Sequence, residues 1–247
     1  MECNTETPLL DKRVIFGLSD QGIRSSNEDA IAIDALPDGL IAVLADGMGG
    51  HAAGEVASAI AIKTVCEIVK TSYNPRMRAE EVTDMLVGAF TAAHKAVIGM
   101  AHDEKAGMGT TLIAAIIRDH EAIAANTGDS RLMLARSGVI VCESDDHTPV
   151  RTLYRMGVIT EDEAMDHPHR HILTHAIGID LKTDHYRLSL ERGDILLLSS
   201  DGIHDYVKKE DILSCTRSDD ARIIATDIMN QAMKRSEDNY SIIVYLH

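Results

Sequence analysis

The sequence predicts an α+β fold in which most strands run antiparallel. Two long helical segments stand between short apolar strands, and a succession of β-type runs then follows from Thr110 to Glu143, broken only by turn signals. No Pro/Gly/Ser-rich linker divides the chain, so residues 1–247 read as one domain. A hydrophobic content of 45% supplies the core, which must rest on Ile, Leu, Val, Ala and Met because the chain has six Tyr, two Phe and no Trp.

Arg13–Leu18, Ala30–Ala35 and Leu40–Ala45 read as strands, the last a continuous apolar run that stops at Asp46-Gly47 and so places Asp46 at a strand end. Glu55–Lys70 and Ala79–Met100 carry apolar residues at helical spacing, with Val56, Ile60, Val65 and Val69 in the first and Val82, Met85, Leu86, Phe90 and Val97 in the second. The runs TLIAAIIR, EAIAAN, RLMLAR and VIVCE are separated by Arg118-Asp119-His120, Thr127-Gly128-Asp129 and Ser137-Gly138, the signature of a meander. Residues 146–178 are polar and His-rich, with short helical stretches at Val150–Met156 and Glu161–Met165, and read as a surface excursion or lid. Strands return at His185–Leu190 and Asp194–Ser199. Helices at Glu210–Cys215 and Ala221–Lys234 follow, and Tyr240–Leu246 is a final strand.

A balance of 24 basic against 39 acidic residues, net −15, argues against general affinity for nucleic acid or anionic membrane. Cys3, Cys66, Cys142 and Cys215 form no CxxC pair and read as reduced thiols. The N-terminal MECNTETPLLDKR has no signal-peptide pattern, and no apolar stretch reaches the length of a membrane span, so a cytoplasmic location is expected.

The chemistry lies in the acidic residues. Asp29, Asp46, Asp129, Asp201 and Asp238 each stand at or near the end of an apolar run, where carboxylates from distant segments can converge. Several uncompensated aspartates in one cleft repel one another unless hard cations such as Mg²⁺ or Mn²⁺ lie among them. A lone Asp-Gly is ordinarily just a turn.

Arg24-x-x-Asn27-Glu28-Asp29, Asp46-Gly47-Met48-Gly49-Gly50-His51, Gly109-Thr110-Thr111, Gly128-Asp129-Ser130-Arg131, Asp146-His147-Thr148, Ser200-Asp201-Gly202 and Asp238-Asn239 occur in this order. In this the chain resembles the metal-dependent (PPM, or type 2C) protein phosphatases from about Gly17 to Val244, and the 146–178 excursion resembles the flap of bacterial members that reverse Ser/Thr kinase signalling. The resemblance implies a four-layer αββα sandwich of two antiparallel sheets flanked by helices. It also implies a protein serine/threonine phosphatase with a binuclear Mn²⁺ or Mg²⁺ centre and a third, weaker ion.

By the same resemblance Asp46 bridges two metals and the Gly47 carbonyl binds one of them. Asp201 and Asp238 complete the second shell, Glu28 acts through metal-bound water, Asp129 with Asp201 holds the third ion, and Arg24 grips the substrate phosphate. Two ions sharing a water can generate hydroxide for in-line attack on phosphorus, and a guanidinium contacts two phosphoryl oxygens where Lys cannot. Met48 stands where some members carry a His after Asp-Gly, so His51 is not assigned as proton donor, and metal-bound water is the more economical one. His175 occupies the place of a flap Arg. The cluster His167, His169, His171 and His175 reads as incidental rather than as a dedicated zinc site.

Other phosphatase chemistries fail on this sequence. No cysteine is followed by Arg six positions on, and no P-loop GKS or GKT occurs. The expected partners are phosphorylated proteins and a cognate Ser/Thr kinase, with the enzyme a monomer. Two alternatives are a regulator of one phosphorylated partner and a binding-only pseudophosphatase. The latter normally loses metal ligands, whereas Asp46, Asp201 and Asp238 are all present.

Overall fold

Continuous apolar runs are what a strand needs when both of its faces are covered. In β3 (Gly39–Met48), Ile41, Val43 and Ala45 pack into one core cluster, whereas Leu40, Ala42 and Leu44 pack into another. The same period-two split recurs in β5 (Leu112–Arg118), where Leu112, Ala114 and Ile116 face one way and Ile113, Ala115 and Ile117 the other. Four layers follow directly. The computed structural model describes residues 10–49 and 53–247. His51, Gly50 and Cys3 therefore lie outside the described residues.

One sheet has the order β2 (Asp29–Leu36), β3, β5, β6 (Glu121–Thr127), β9 (Asp184–Ser189), with the two-residue β4 (Gly109–Thr110) paired to the end of β3. The other has the order β1 (Ile15–Asp20), β11 (Tyr240–Leu246), β10 (Ile195–Ser199), β7 (Arg131–Arg136), β8 (Val139–Glu143). Every neighbouring pair is antiparallel. Leu132 and Leu134 of β7 and Leu196 and Leu198 of β10 meet the first sheet, while Met133, Ala135, Ile195 and Leu197 face outward to helices.

Helices α1 (Ala53–Ser72) and α2 (Ala79–Met100) cover the first sheet, burying Ala57, Ala61, Val65 and Val69 from one and Val82, Leu86, Phe90, Ala93 and Val97 from the other. After α3 (Pro149–Arg155) and α4 (Glu161–Met165), the short α5 (Asp201–His204) and then α6 (Lys209–Cys215) and α7 (Ala221–Ala232) cover the second sheet. The start of α7 is fixed by Asp220, whose carboxylate accepts from the amides of Arg222 and Ile223. A 3₁₀ turn at Asp103–Lys105 closes α2.

Three expectations change. β3 does not stop before Asp46: Asp29 is its cross-strand partner, and Gly47 and Met48 pair with Thr110 and Gly109, so the strand runs through the motif. The expected meander is split, because β6 belongs to one sheet and β7 to the other, and Thr127–Ser130 carries the chain between layers. β1 begins at Ile15 because the Arg13 amide donates to the Asp11 carboxylate at 2.9 Å in a tight turn.

Candidate active site

The carboxylates gather at one end of the sandwich, where the strands of both sheets terminate. Asp46 is fixed through its backbone: its amide donates to Thr111 Oγ1 at 2.9 Å, and its carbonyl accepts from Thr110 Oγ1 at 2.9 Å and from the Thr111 amide at 2.8 Å. Thr111 Oγ1 lies 2.7 Å from Ser130 Oγ, which ties this support to the loop carrying Asp129. Asp29 sits opposite Asp46 in the register, so their side chains share a face.

At the β3–α1 junction three backbone segments touch. The Gly47 amide donates to the Glu28 carbonyl at 3.1 Å. A Cβ on Gly47 would stand 2.1 Å from the Gly54 carbonyl oxygen, and one on Gly54 would stand 2.2 Å from Glu28 Oε2. Only glycine permits this approach.

The second sheet supplies the other acids. Asp201 opens α5 directly after β10, and the preceding Ser200 donates through Oγ to Asp29 Oδ2 at 2.8 Å, linking the two sheets. Asp238 precedes β11. Its neighbour Asn239 accepts from the Glu28 amide at 2.9 Å and donates to the carbonyls of Gln21 and Ser26, both at 2.8 Å. Arg24 is exposed at the rim, with Nη2 2.7 Å from Asp238 Oδ2 and Nε 3.0 Å from the Glu237 carbonyl. Asp129 is 7% exposed.

The charges disagree with one another. Burial, and then Asp29, Asp201, Asp129 and Asp238, hold the Asp46 carboxyl well above the usual carboxylate range. Burial and then Asp201, Asp146 and Asp205 do the same to Asp129. Burial lifts Asp29 to about 7 against the pull of the Ser241 and Ser200 hydrogen bonds, and it lifts Asp205 to about 6 with Asp201 beside it. Asp238 and Glu28 are raised as well, each chiefly by burial. Asp29 Oδ1 is buried without a hydrogen-bond partner. Such an all-oxygen, mutually repelling set suits hard divalent cations, so the residues present fit a metal centre.

The flap is anchored beside these groups. Asp146 receives Arg131 Nε at 2.8 Å and Nη2 at 2.6 Å, a buried two-pronged pair. His147 is buried with Nε2 3.1 Å from Asp184 and Nδ1 accepting from the Gly128 amide, and Thr148 caps α3 by accepting from the Arg151 amide. The flap returns through Ile177, which exchanges backbone hydrogen bonds with Thr110. A cavity of about 390 Å³ between flap and α5–α6 shares Asp205 with the carboxylate cluster.

All seven positions expected for the site, Arg24, Glu28, Asp46, Gly47, Asp129, Asp201 and Asp238, fall at this end of the molecule. The four flap histidines do not converge: the His167 and His169 rings meet at a tilt, His175 lies 3.0 Å from Asp180, and His171 turns toward Asp201 and Asp205. Asp205 was not expected. Its spacing of four from Asp201 is a helical signal, visible once α5 is recognised between β10 and α6.

The chain is similar to known proteins over nearly its whole length. The family model described as Protein phosphatase 2C matches residues 17–236. The serine/threonine phosphatase stp of Listeria monocytogenes is 34% identical over 237 residues, covering 92% of each chain. The Streptococcus agalactiae serine/threonine phosphatase superposes with a TM-score of 0.86 at 30% identity, over 94% of this chain and 99% of that one. The catalytic domain of the phosphatase PstP, solved in complex with two manganese ions, superposes with a TM-score of 0.79 at 30% identity, over 94% and 96%.

Proposed function

This chain belongs to the protein phosphatase 2C family and is a metal-dependent serine/threonine phosphoprotein phosphatase; on that premise we propose how its own residues divide the work. Asp46 and the Gly47 carbonyl would be among the donors that hold two cations, Mn²⁺ or Mg²⁺. Asp201 and Asp238 would complete that donor set, with Glu28 beside it. Asp129 with Asp201 holds a third, weaker ion. When bound, these ions supply Lewis acidity and charge neutralisation for hydrolysis of a phosphate monoester.

The observation that carries this reading is the convergence of Glu28, Asp29, Asp46, Asp129 and Asp238 from separate segments, with pKa values driven upward by burial and by one another. Thr110, Thr111 and Ser130 orient Asp46, and Asn239 locks the Glu28 backbone, so the donors are positioned before anything binds. Arg24 binds the phosphoryl group. Its guanidinium is held at the rim by Asp238 and the Glu237 carbonyl, which keeps it beside the donors while still exposed to an incoming dianion.

The substrates are phosphoserine and phosphothreonine proteins made by a cognate Ser/Thr kinase, and the enzyme acts as a cytoplasmic monomer. No helix among the described residues is long and apolar enough to cross a membrane. The test is hydrolysis of p-nitrophenyl phosphate and a phosphothreonine peptide by chelator-stripped protein, with Mn²⁺, Mg²⁺, Ca²⁺ or Zn²⁺ added back. Activity is expected with Mn²⁺ or Mg²⁺ and absent in Asp46→Ala and Asp201→Ala, whereas Asp129→Ala keeps reduced turnover. Full activity in Asp46→Ala overturns the assignment.

A further inference from the structure

Asp201 and Asp205 are one helical turn apart, and the Asp205 amide donates to the Asp201 carbonyl at 2.9 Å, so both carboxylates leave the same side of α5. The flap lays a third donor over that side. His171 Nδ1 is 3.4 Å from Asp201 Oδ2 and 3.7 Å from Asp205 Oδ2. One ligand atom from each of these three residues lies within 4.8 Å of the others. Donors on opposite sides of an ion with bonds of about 2.1 Å stand about 4.2 Å apart, so closing this set around a cation needs only small side-chain adjustments.

A second, independent feature points to the same place. Asp129, 7% exposed, adds another buried carboxylate close to Asp201 and Asp205. Buried carboxylates crowded together in this way favour a cation among them. Nearby Arg170 does not fully supply it, because its Nε is 3.3 Å from Asp205 Oδ2 and remains a buried donor without a hydrogen bond.

We infer that His171 is a flap-borne nitrogen ligand which, with Asp201 and Asp205, completes the third cation site and clasps the flap to α5 when a first-row transition ion binds. This rests on the metal centre proposed above and adds to it one nitrogen donor among oxygens. Imidazole favours transition cations over Mg²⁺, whereas carboxylate and carbonyl donors accept either, so the flap clasp discriminates between metals that the paired site treats more alike. Described contacts between the flap and the α5–α6 region include Arg170 to Asp205 and an exposed Lys208–Asp162 pair, and a coordinate bond from His171 would add to them.

The test is pulsed electron paramagnetic resonance of the full chain titrated with Mn²⁺. The paired ions have only oxygen donors, so nitrogen hyperfine coupling is expected when the third equivalent binds. It is expected to vanish in His171→Gln and to persist in His167→Gln. Equilibrium dialysis should show the weakest Mn²⁺ site of His171→Gln loosened on the order of tenfold or more, with Mg²⁺ binding little changed. His171 has 44% of its side chain exposed, so this substitution leaves the core intact. Hydrogen exchange across the flap of the unmodified protein should slow with saturating Mn²⁺ and not with Mg²⁺. Paired Mn²⁺ ions without nitrogen coupling, or coupling undiminished in His171→Gln, refute the clasp and leave the paired site standing. Failure of the unmodified chain to bind Mn²⁺ at all refutes the metal centre itself.

Discussion

In the metal-free protein Asp29 is a burden on stability, and replacing it with Asn should relieve that burden in a pH-dependent way. Its carboxyl is held at about 7 in the fold against an ordinary value of 3.8. Below 3.8 the proton is bound in both folded and unfolded chains and the group contributes nothing. Above 7 both have lost it and the folded chain carries the whole penalty. About three pH units at about 1.4 kcal/mol each amount to about 4 kcal/mol. Asn keeps the Ser200 hydrogen bond through its amide oxygen but buries an NH₂ where Asp29 Oδ1 has no partner, which takes back about 1–3 kcal/mol. The net gain is about 2 kcal/mol at pH 8, or about 5 °C in melting temperature for a chain of this size. The assay is thermal melting of chelator-stripped wild-type and Asp29→Asn proteins at pH 8 and pH 5. The variant is expected to melt higher at pH 8 and to lose that advantage at pH 5. Equal differences at both pH values, or a variant less stable at pH 8, refute the charge-repulsion account.

Other substitutions probe the scaffold around the acids. Asn239→Ala removes three hydrogen bonds from a buried side chain and should destabilise the fold by about 2–3 kcal/mol, read as a lower urea midpoint, with weaker Mn²⁺ activation because the Glu28 backbone loosens. In Gly54→Ala the new methyl would stand 2.2 Å from Glu28 Oε2, so Glu28 must swing away; half-saturating Mn²⁺ in the phosphatase assay should rise while the melting temperature falls. Arg24→Lys keeps a charge but loses the fork, and kcat/KM on a phosphothreonine peptide should drop on the order of tenfold or more. Thr111→Val removes the acceptor for the Asp46 amide and the tie to Ser130, and it should lower kcat at saturating metal without changing KM appreciably.

Local patterns carried most of the architecture. The helical spacing of Ala79–Met100 and the apolar run Tyr240–Leu246 mark α2 and β11 at the observed boundaries, because each segment buries a face that its own period defines. What local pattern does not encode is partnership between layers. RLMLAR and EAIAAN look like successive hairpin strands, yet they lie in different sheets, because both runs are apolar on two faces and nothing in either one names its neighbour. The Asp-Gly and Asp-Asn motifs made the acids legible, while the residues that hold them were legible only as motif members without a task. Thr110 and Thr111 meet Asp46 from more than sixty positions away, and Asn239 meets Glu28 from more than two hundred. Asp205 escaped because it needed a four-residue helix to be seen, while His171, visible only as one of a His cluster, needed the path of the flap to be placed beside it.

That β11 lies between β1 and β10, with Asp238 just before it, also bears on how the molecule comes into being on the ribosome. A nascent chain that has emerged only through β10 already displays Arg24, Glu28, Asp46 and Asp201, but the strand that joins the first segment to the rest is still in the exit tunnel. The N-terminal β1 must wait with an unpaired edge, an aggregation hazard that chaperones would have to cover. Insertion of β11 is also what brings Asn239 to the Glu28 amide, so the last strand to be made fastens the first segment to the sandwich.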